Sequence, residues 1–253
     1  MRLTVEAACG CHIGLLRKRN EDNYFFDGKY LAIGHNEQNK TEKLQCRLKK
    51  GMAFAVFDGM GGEKFGEQAS YAAAGRMKRT VEALAAWFPF PKKYMQCLTT
   101  QLNAAVVCEQ EKYHTYRMGT TMVSLYFSIG YAYICNVGDS RAYCFRNGEL
   151  MQLSVDHVAK RPGGENKKEP LTRYLGTNPD EVFLEPSIAR IKIKKDDKYL
   201  ICSDGLTDML SEIALSDIMG KNSSAEDCVE QLLQKALEQG GRDNITAIVC
   251  LIE

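Results

Sequence analysis

Apolar residues along this chain keep two rhythms. In YLAIG (30–34), MAFAVF (52–57), TTMVSLYFSIG (120–130), YAYICNV (131–137), RAYCFRNG (141–148), ARIKIKK (189–195), KYLICS (198–203) and NITAIVCLI (244–252), β-branched and aromatic residues gather in short runs bounded by Gly, Asn or Asp. That is the pattern of β-strands. The Asn-Gly inside RNGEL (146–150) marks a hairpin. The second rhythm has helical spacing. Ala69, Ala72, Met77, Val81, Leu84 and Phe88 recur through 64–88, and Met95, Leu98, Leu102, Ala105 and Val106 through 92–113. Val229, Leu232, Leu233, Ala236 and Leu237 recur through 225–238, where Gly240-Gly241 supplies a stop. Pro89 and Pro91 separate the first two helices and predict an antiparallel pair.

Several connections between strands are too short to hold a helix, so much of the sheet is expected to be antiparallel. Helices and strands come in blocks rather than in alternation, which favours an α+β fold with helices covering the sheets. The stretches 35–51 and 160–170 read as polar insertions between elements. With no repeat or linker in view, residues 1–253 are expected to form a single domain.

Composition changes this picture only by exclusion. At 45% hydrophobic residues the chain can bury a sizeable core. Its 33 basic and 32 acidic residues leave a net charge of +1, which removes the usual footprint of nucleic-acid or membrane binding. MRLTVEAACGCHIGLL lacks a signal-peptide core and cleavage site, and no apolar run reaches the roughly 18 residues of a membrane span. A cytoplasmic chain is the expectation. The ten cysteines contain no C-x-x-C pair, and Cys135, Cys202 and Cys250 sit inside strand-like runs. They read as buried thiols in a reducing compartment, not as disulfides or zinc ligands.

The chemistry lies where the apolar runs stop. FAVF ends at Asp58, ICNVG at Asp139, and LICS at Asp204 with Asp208 four residues on. Asp243 precedes the last run, and Glu21 and Asp22 precede an aromatic pair. Carboxylates gathered at one strand rim would raise one another's pKa unless a cation joined them. An all-oxygen set suits Mg²⁺ or Mn²⁺, and glycine after Asp58 lets a backbone carbonyl take part. Each motif alone has a plainer reading, since Asp-Gly at a strand end is commonly a turn.

Taken together, GLLRKRNEDN (14–23), FAVFDGMGG (54–62), RMGTTMV (117–123), ICNVGDSRAY (134–143), LTRYLG (171–176), LICSDGLTDML (201–210) and GRDNITAIV (241–249) resemble the metal-dependent protein serine/threonine phosphatases of the PPM family, also called protein phosphatase 2C-like. The blocks span nearly the whole chain in the family's order. Met60, where many eukaryotic members carry histidine, and the compact length resemble the bacterial branch.

The resemblance implies a four-layer α/β/β/α sandwich: two antiparallel sheets, each flanked by a helix pair, with a binuclear metal centre at one edge. By motif match, Asp58 bridges two Mn²⁺ or Mg²⁺ ions. Glu21 and the Gly59 carbonyl serve one ion, and Asp204 and Asp243 the other. Asp22 acts mainly through water or by contacts behind the ligands. Asp139, with Asp204 and Asp208, matches the acids that hold a third, weaker metal. Arg17 matches the phosphate-binding arginine; its planar fork suits a phosphoryl group. Arg17, Asp58 and Asp204 are thus the implied catalytic residues.

The implied reaction is hydrolysis of phosphoserine and phosphothreonine in proteins by direct attack of a metal-bridging hydroxide. His12 and His157 lie nearest the matched blocks but read as structural. Phosphorylated proteins are the implied partners, with a serine/threonine kinase and its substrates among them in a signalling role; a monomer is expected. VAKRPGGENKKEP (158–170) is shorter and richer in Gly and Lys than the flap that bacterial relatives carry there. Two competing classes are a catalytically inactive binding module on the same fold and a hydrolase of small phosphate esters. The intact acids and Arg17 argue against the first.

Overall fold

A computed structural model describes residues 3–35, 40–61, 65–84, 91–128, 130–159 and 169–253. The expectations for 160–168, most of the second polar insertion, fall outside the described residues.

Among the described residues, twelve strands and five helices follow one another as β1 Thr4–His12, β2 Asp22–Phe26, β3 Lys40–Arg47, β4 Ala53–Met60, α1 Phe65–Leu84, α2 Pro91–Lys112, β5 Gly119–Thr120, β6 Met122–Ser128, β7 Tyr131–Val137, β8 Arg141–Arg146, β9 Glu149–Gln152, β10 Ser187–Lys192, β11 Lys198–Cys202, α3 Asp204–Thr207, α4 Glu212–Lys221, α5 Ala225–Glu238 and β12 Ile245–Ile252. One sheet has the order β3-β1-β12-β11-β8-β9. The other runs β10-β7-β6-β4-β2, with β5 paired to β4. Every pairing is antiparallel, as the short connections predict.

Period-2 alternation on the central strands builds three apolar layers. On β4, Phe54 and Val56 face the space between the sheets, while Ala53, Ala55 and Phe57 face α1 and α2. On β12, Ile248, Cys250 and Ile252 face inward, while Ile245, Ala247, Val249 and Leu251 lie under α4 and α5. The result is an α+β sandwich whose two sheets share a core and whose outer faces are each covered by helices. Contacts of Phe65 with Tyr113 and of Arg76 with Gln101 set α1 and α2 antiparallel. All ten cysteines are free thiols, and Cys9, Cys11, Cys135, Cys144, Cys202, Cys228 and Cys250 are buried.

Three expectations need correction. YLAIG is not a strand. Asn23 takes over its backbone, accepting from the Leu31 amide at 3.0 Å and donating to the Leu31 carbonyl at 3.1 Å. The polar insertion 35–51 contains a strand, β3, paired along β1. Leu44 and Cys46 of β3 turn inward between charged neighbours, which is the alternation of an edge strand. The helix count also rises, because Ser211 caps α4 by accepting from the Ala214 amide at 3.4 Å. By contrast α5 spans the predicted 225–238, capped by Ser224 and closed at Gly240-Gly241, where the Gly241 amide reaches back to the Ala236 carbonyl at 3.1 Å.

Candidate active site

β2 and β4 pair with Asp22 opposite Asp58, so the NED and FDG motifs meet at one end of the second sheet. The first sheet supplies the remaining acids from the β11–α3 junction and the start of β12. Asn244 joins the two halves. Its side chain accepts from the Glu21 amide at 2.8 Å and donates to the carbonyls of Ile13 at 2.8 Å and Arg19 at 2.9 Å.

A cavity of about 540 Å³ opens there, lined by Arg17, Lys18, Arg19, Glu21, Asp58, Gly59, Met60, Gly61, Asp243 and Asn244. Arg17 Nη2 donates to Asp243 Oδ2 at 2.6 Å. Partial burial works against that guanidinium's charge, but the hydrogen bond and charge of Asp243 outweigh it and hold the pKa above its ordinary value. Glu21 is shifted upward by burial and by the charges of Asp243 and Glu67, against the pull of Arg17 and Arg19. Asp22 is fully buried and pushed up to about 7, chiefly by burial, with Asp243 and Asp204 adding repulsion. Its Oδ2 accepts from the hydroxyls of Ser203 and Thr246, both at 2.7 Å.

Asp204 is buried at the start of α3. Asp139 and Asp208 do not line the cavity. Asp139 is half-buried beside Ser140, whose hydroxyl lies 2.7 Å from that of Thr121; Thr121 in turn accepts from the Asp58 amide at 3.1 Å. Asp208 is exposed one turn beyond Asp204, its amide donating to the Asp204 carbonyl at 2.7 Å.

Backbone approach is very close at Gly59. A Cβ there would lie 2.1 Å from the Gly66 carbonyl oxygen and 2.5 Å from that of Glu21. A Cβ on Gly66 would meet the Glu21 carboxyl carbon at 2.8 Å and the Gly59 carbonyl oxygen at 2.8 Å. The Glu21 carboxylate and the Gly59 carbonyl are thus neighbours because only glycine hydrogens stand between the start of α1 and the ends of the strands.

Among the described residues, no three acidic, imidazole or thiol groups close on a single point as their side chains lie; Arg17 draws Asp243 to itself. The donor chemistry nevertheless fits a hard divalent cation. The cavity wall offers carboxylate and carbonyl oxygens, no histidine and no thiol. Burial is the main cause of the upward shifts of Glu21 and Asp22, and the repulsion from Asp243 that adds to both is what a cation would relieve.

Several participants escaped the sequence reading. Asn244, Ser203 and Thr246 stand beside assigned acids, and adjacency in the motif was the available signal. His35 and Glu67 gave none. His35 places its ring nitrogens 2.8 Å from the Ala32 and Asp22 carbonyl oxygens. Glu67, in the first turn of α1, accepts from the Gly34 amide and ties the same segment down.

The two histidines read as structural stay outside the cavity wall. Nδ1 of His12 accepts from the Gly14 amide at 2.8 Å. His157 is buried, accepts from the Gly138 amide at 3.1 Å and meets the Ser187 hydroxyl at 2.8 Å. Burial, then the neighbouring Arg173, lowers its pKa from 6.5 to about 4. The folded protein therefore binds this proton less readily than the unfolded chain. The stability it secures is whole above about pH 6.5 and drains as pH falls toward about 4. In His157→Gln, Tm plotted against pH over that window should be shallower than in wild type; an unchanged slope would refute the assignment.

Comparison with known proteins agrees with this fold. The protein phosphatase 2C family pattern matches residues 33–247. The serine/threonine phosphatase stp of Listeria welshimeri is 30% identical over 257 aligned positions, covering 93% of this chain and 91% of that one. Among solved structures, PppA of Pseudomonas aeruginosa, described as a key regulatory component of T6SS, superimposes with a TM-score of 0.78 at 27% identity over 98% of both chains. The catalytic domain of the phosphatase PstP, solved with two manganese ions, gives 0.76 at 24% identity over 99% of both chains and supports the fold. An α/β/β/α sandwich with an acid-lined cavity at its edge is the architecture of a phosphatase. The chain belongs to the protein phosphatase 2C family and is a serine/threonine protein phosphatase of that type.

Proposed function

We propose that Asp58, Glu21 and the Gly59 carbonyl, with Asp204 and Asp243, hold two Mn²⁺ or Mg²⁺ ions, and that the enzyme hydrolyses phosphoserine and phosphothreonine by direct attack of water on phosphorus. The observation that carries this reading is the convergence of Arg17, Glu21, Asp58, Gly59 and Asp243 on one cavity. When bound, such a metal pair supplies an acidified water and charge compensation for the phosphoryl oxygens. Arg17 presents its fork to the phosphoryl oxygens and orients the ester. Asp22 fixes Ser203 and Thr246 and so holds the two sheets at the distance the site needs. Asp139 and Asp208 are proposed ligands of a third, weaker site.

Met60 lines the cavity where no proton donor is available from its side chain. The substrates are phosphorylated proteins. We read a serine/threonine kinase and its targets as partners, the chain as one catalytic domain, a monomer in the cytoplasm with a signalling role. The free cysteines support a reducing compartment. Among the described residues no helix is long and apolar enough to cross a membrane.

The test is phosphate release from a phosphothreonine peptide by metal-stripped and Mn²⁺-loaded protein, with Asp204→Asn alongside. Turnover that needs Mn²⁺ and is lost in Asp204→Asn is expected. Equal turnover without metal, or an active Asp204→Asn, would overturn the assignment.

A further inference from the structure

Arg17 has company at the cavity mouth. Lys18 and Arg19 line the same cavity and are exposed. Unlike Arg17, which is engaged with Asp243, neither has a carboxylate within ion-pair distance among the described residues. The bend through 18–19 is not free to swing away: the Arg19 carbonyl is held by Asn244 at 2.9 Å, and the Leu15 amide by the Gly241 carbonyl at 2.7 Å. Met60 and Gly61, which also line the cavity, carry no charge. The acids of the wall, Glu21, Asp58 and Asp243, are those assigned to metals. Two exposed cations on an anchored backbone, with no ion-pair partner among the described residues, therefore rim the place where a phosphorylated side chain would enter.

We propose that Lys18 and Arg19 form a subsite for acidic side chains flanking the phosphorylated residue, either carboxylates or a neighbouring phosphate, so that the preferred substrates are acidic phosphopeptide segments. This rests on the phosphatase reading of the cavity for its orientation but makes a separate claim about binding. A solvated run of basic residues would show no such preference. The subsite is electrostatic and exposed, so its effect is modest and screened by salt. Two such pairs amount to about a three- to tenfold change at low ionic strength, with each pair in the range measured for exposed ion pairs.

The experiment uses the full chain loaded with Mn²⁺ and phosphothreonine peptides that differ only in flanks of Asp, Ala or Lys. Turnover gives kcat/KM for each. Fluorescence anisotropy with the corresponding non-hydrolysable phosphonate peptides gives Kd. The Asp-flanked peptide is expected to lead the Ala-flanked one about three- to tenfold in both readouts, with the Lys-flanked one last. Raising salt should compress the ratio. In Lys18→Glu/Arg19→Glu the order should level or invert. Equal affinity for all flanks in wild type, or an acidic preference that survives the double substitution, would overturn the subsite. Acidic preference in binding without any turnover would leave the subsite standing and sink the phosphatase reading instead.

Discussion

Asp58→Asn is expected to lower kcat/KM on a phosphothreonine peptide by at least about a hundredfold, since changes merely behind a metal's ligands already cost ten- to a hundredfold. Asp58 ends β4 opposite Asp22, at the point where the two acid-bearing strands of the second sheet pair. It is the residue proposed to serve both metals, and the amide would leave a single neutral oxygen where two charged ones would be shared between them. Amide for carboxylate keeps the volume, and the Asp58 amide can still donate to Thr121 at 3.1 Å. A second readout separates lost metal from lost fold. Metal present at a hundred times its dissociation constant stabilises a folded protein by about 2.7 kcal/mol. For a chain of this size that is a Tm rise of about 5–10 °C. Wild type should show the rise with Mn²⁺ and Asp58→Asn should not, while both melt cooperatively without metal. An Asp58→Asn protein with the full Mn²⁺-dependent rise would refute the bridging role.

Gly205→Ala should unfold the same corner from the other side. Gly205 follows Asp204 in α3, and a Cβ there would sit 2.0 Å from the Asn244 carbonyl oxygen and 3.3 Å from the Asp243 Cβ. The first clash is with backbone, which cannot rotate out of the way. Overpacking of this kind costs about 1–3 kcal/mol, which is a Tm loss of about 2–12 °C at this chain length. Activity should suffer beyond that loss, because relief requires Asp204 and Asp243 to part. Gly75→Ala is the control. Gly75 sits inside α1, where a Cβ would meet only the Tyr30 ring at 3.6 Å, ordinary contact. That change should be neutral or raise stability by about 0.5–1 kcal/mol. Calorimetry on both variants decides the matter: equal melting of Gly205→Ala and wild type would show that the two segments are not wedged together.

The parts of this molecule that could be read from the chain are those in which neighbours in sequence do the job together. FAVFDG is a buried strand and its terminal acid in six residues, and the apolar stripe of α5 needs no partner to be seen. β1 was hidden because, past Val5, its inward positions are Ala7, Cys9 and Cys11 and its helix-facing ones Ala8 and Gly10, small residues rather than Val or Ile; its strand character comes from β3 and β12 on either side. YLAIG misled because a side chain from β2, Asn23, satisfies the backbone that a sheet would otherwise have paired. Arg17 and Asp243 could be proposed from motifs. Their contact across 226 positions of chain follows from the topology, as does the binding of Glu21 to Asn244 across 223. His35 and Glu67 carry no local mark, because their partners are supplied by a loop and a helix that meet only after folding.

The chain passes back and forth between the sheets, with β1 and β3 in one and β2 and β4 in the other, and β12 lies between β1 and β11. No single cut yields two pieces that each hold a whole sheet. On the ribosome this fixes an order of events. Residues 17–22 are made before the groups that anchor them, Asp243, Asn244 and Thr246, which follow 223–226 positions later. At about 5–20 residues per second of synthesis, β1 waits through all the intervening strands before its inner neighbour β12 arrives, and pairings of such long range close slowly. The cavity is thus expected to close, and hydrolysis to begin, only once β12 lies between β1 and β11.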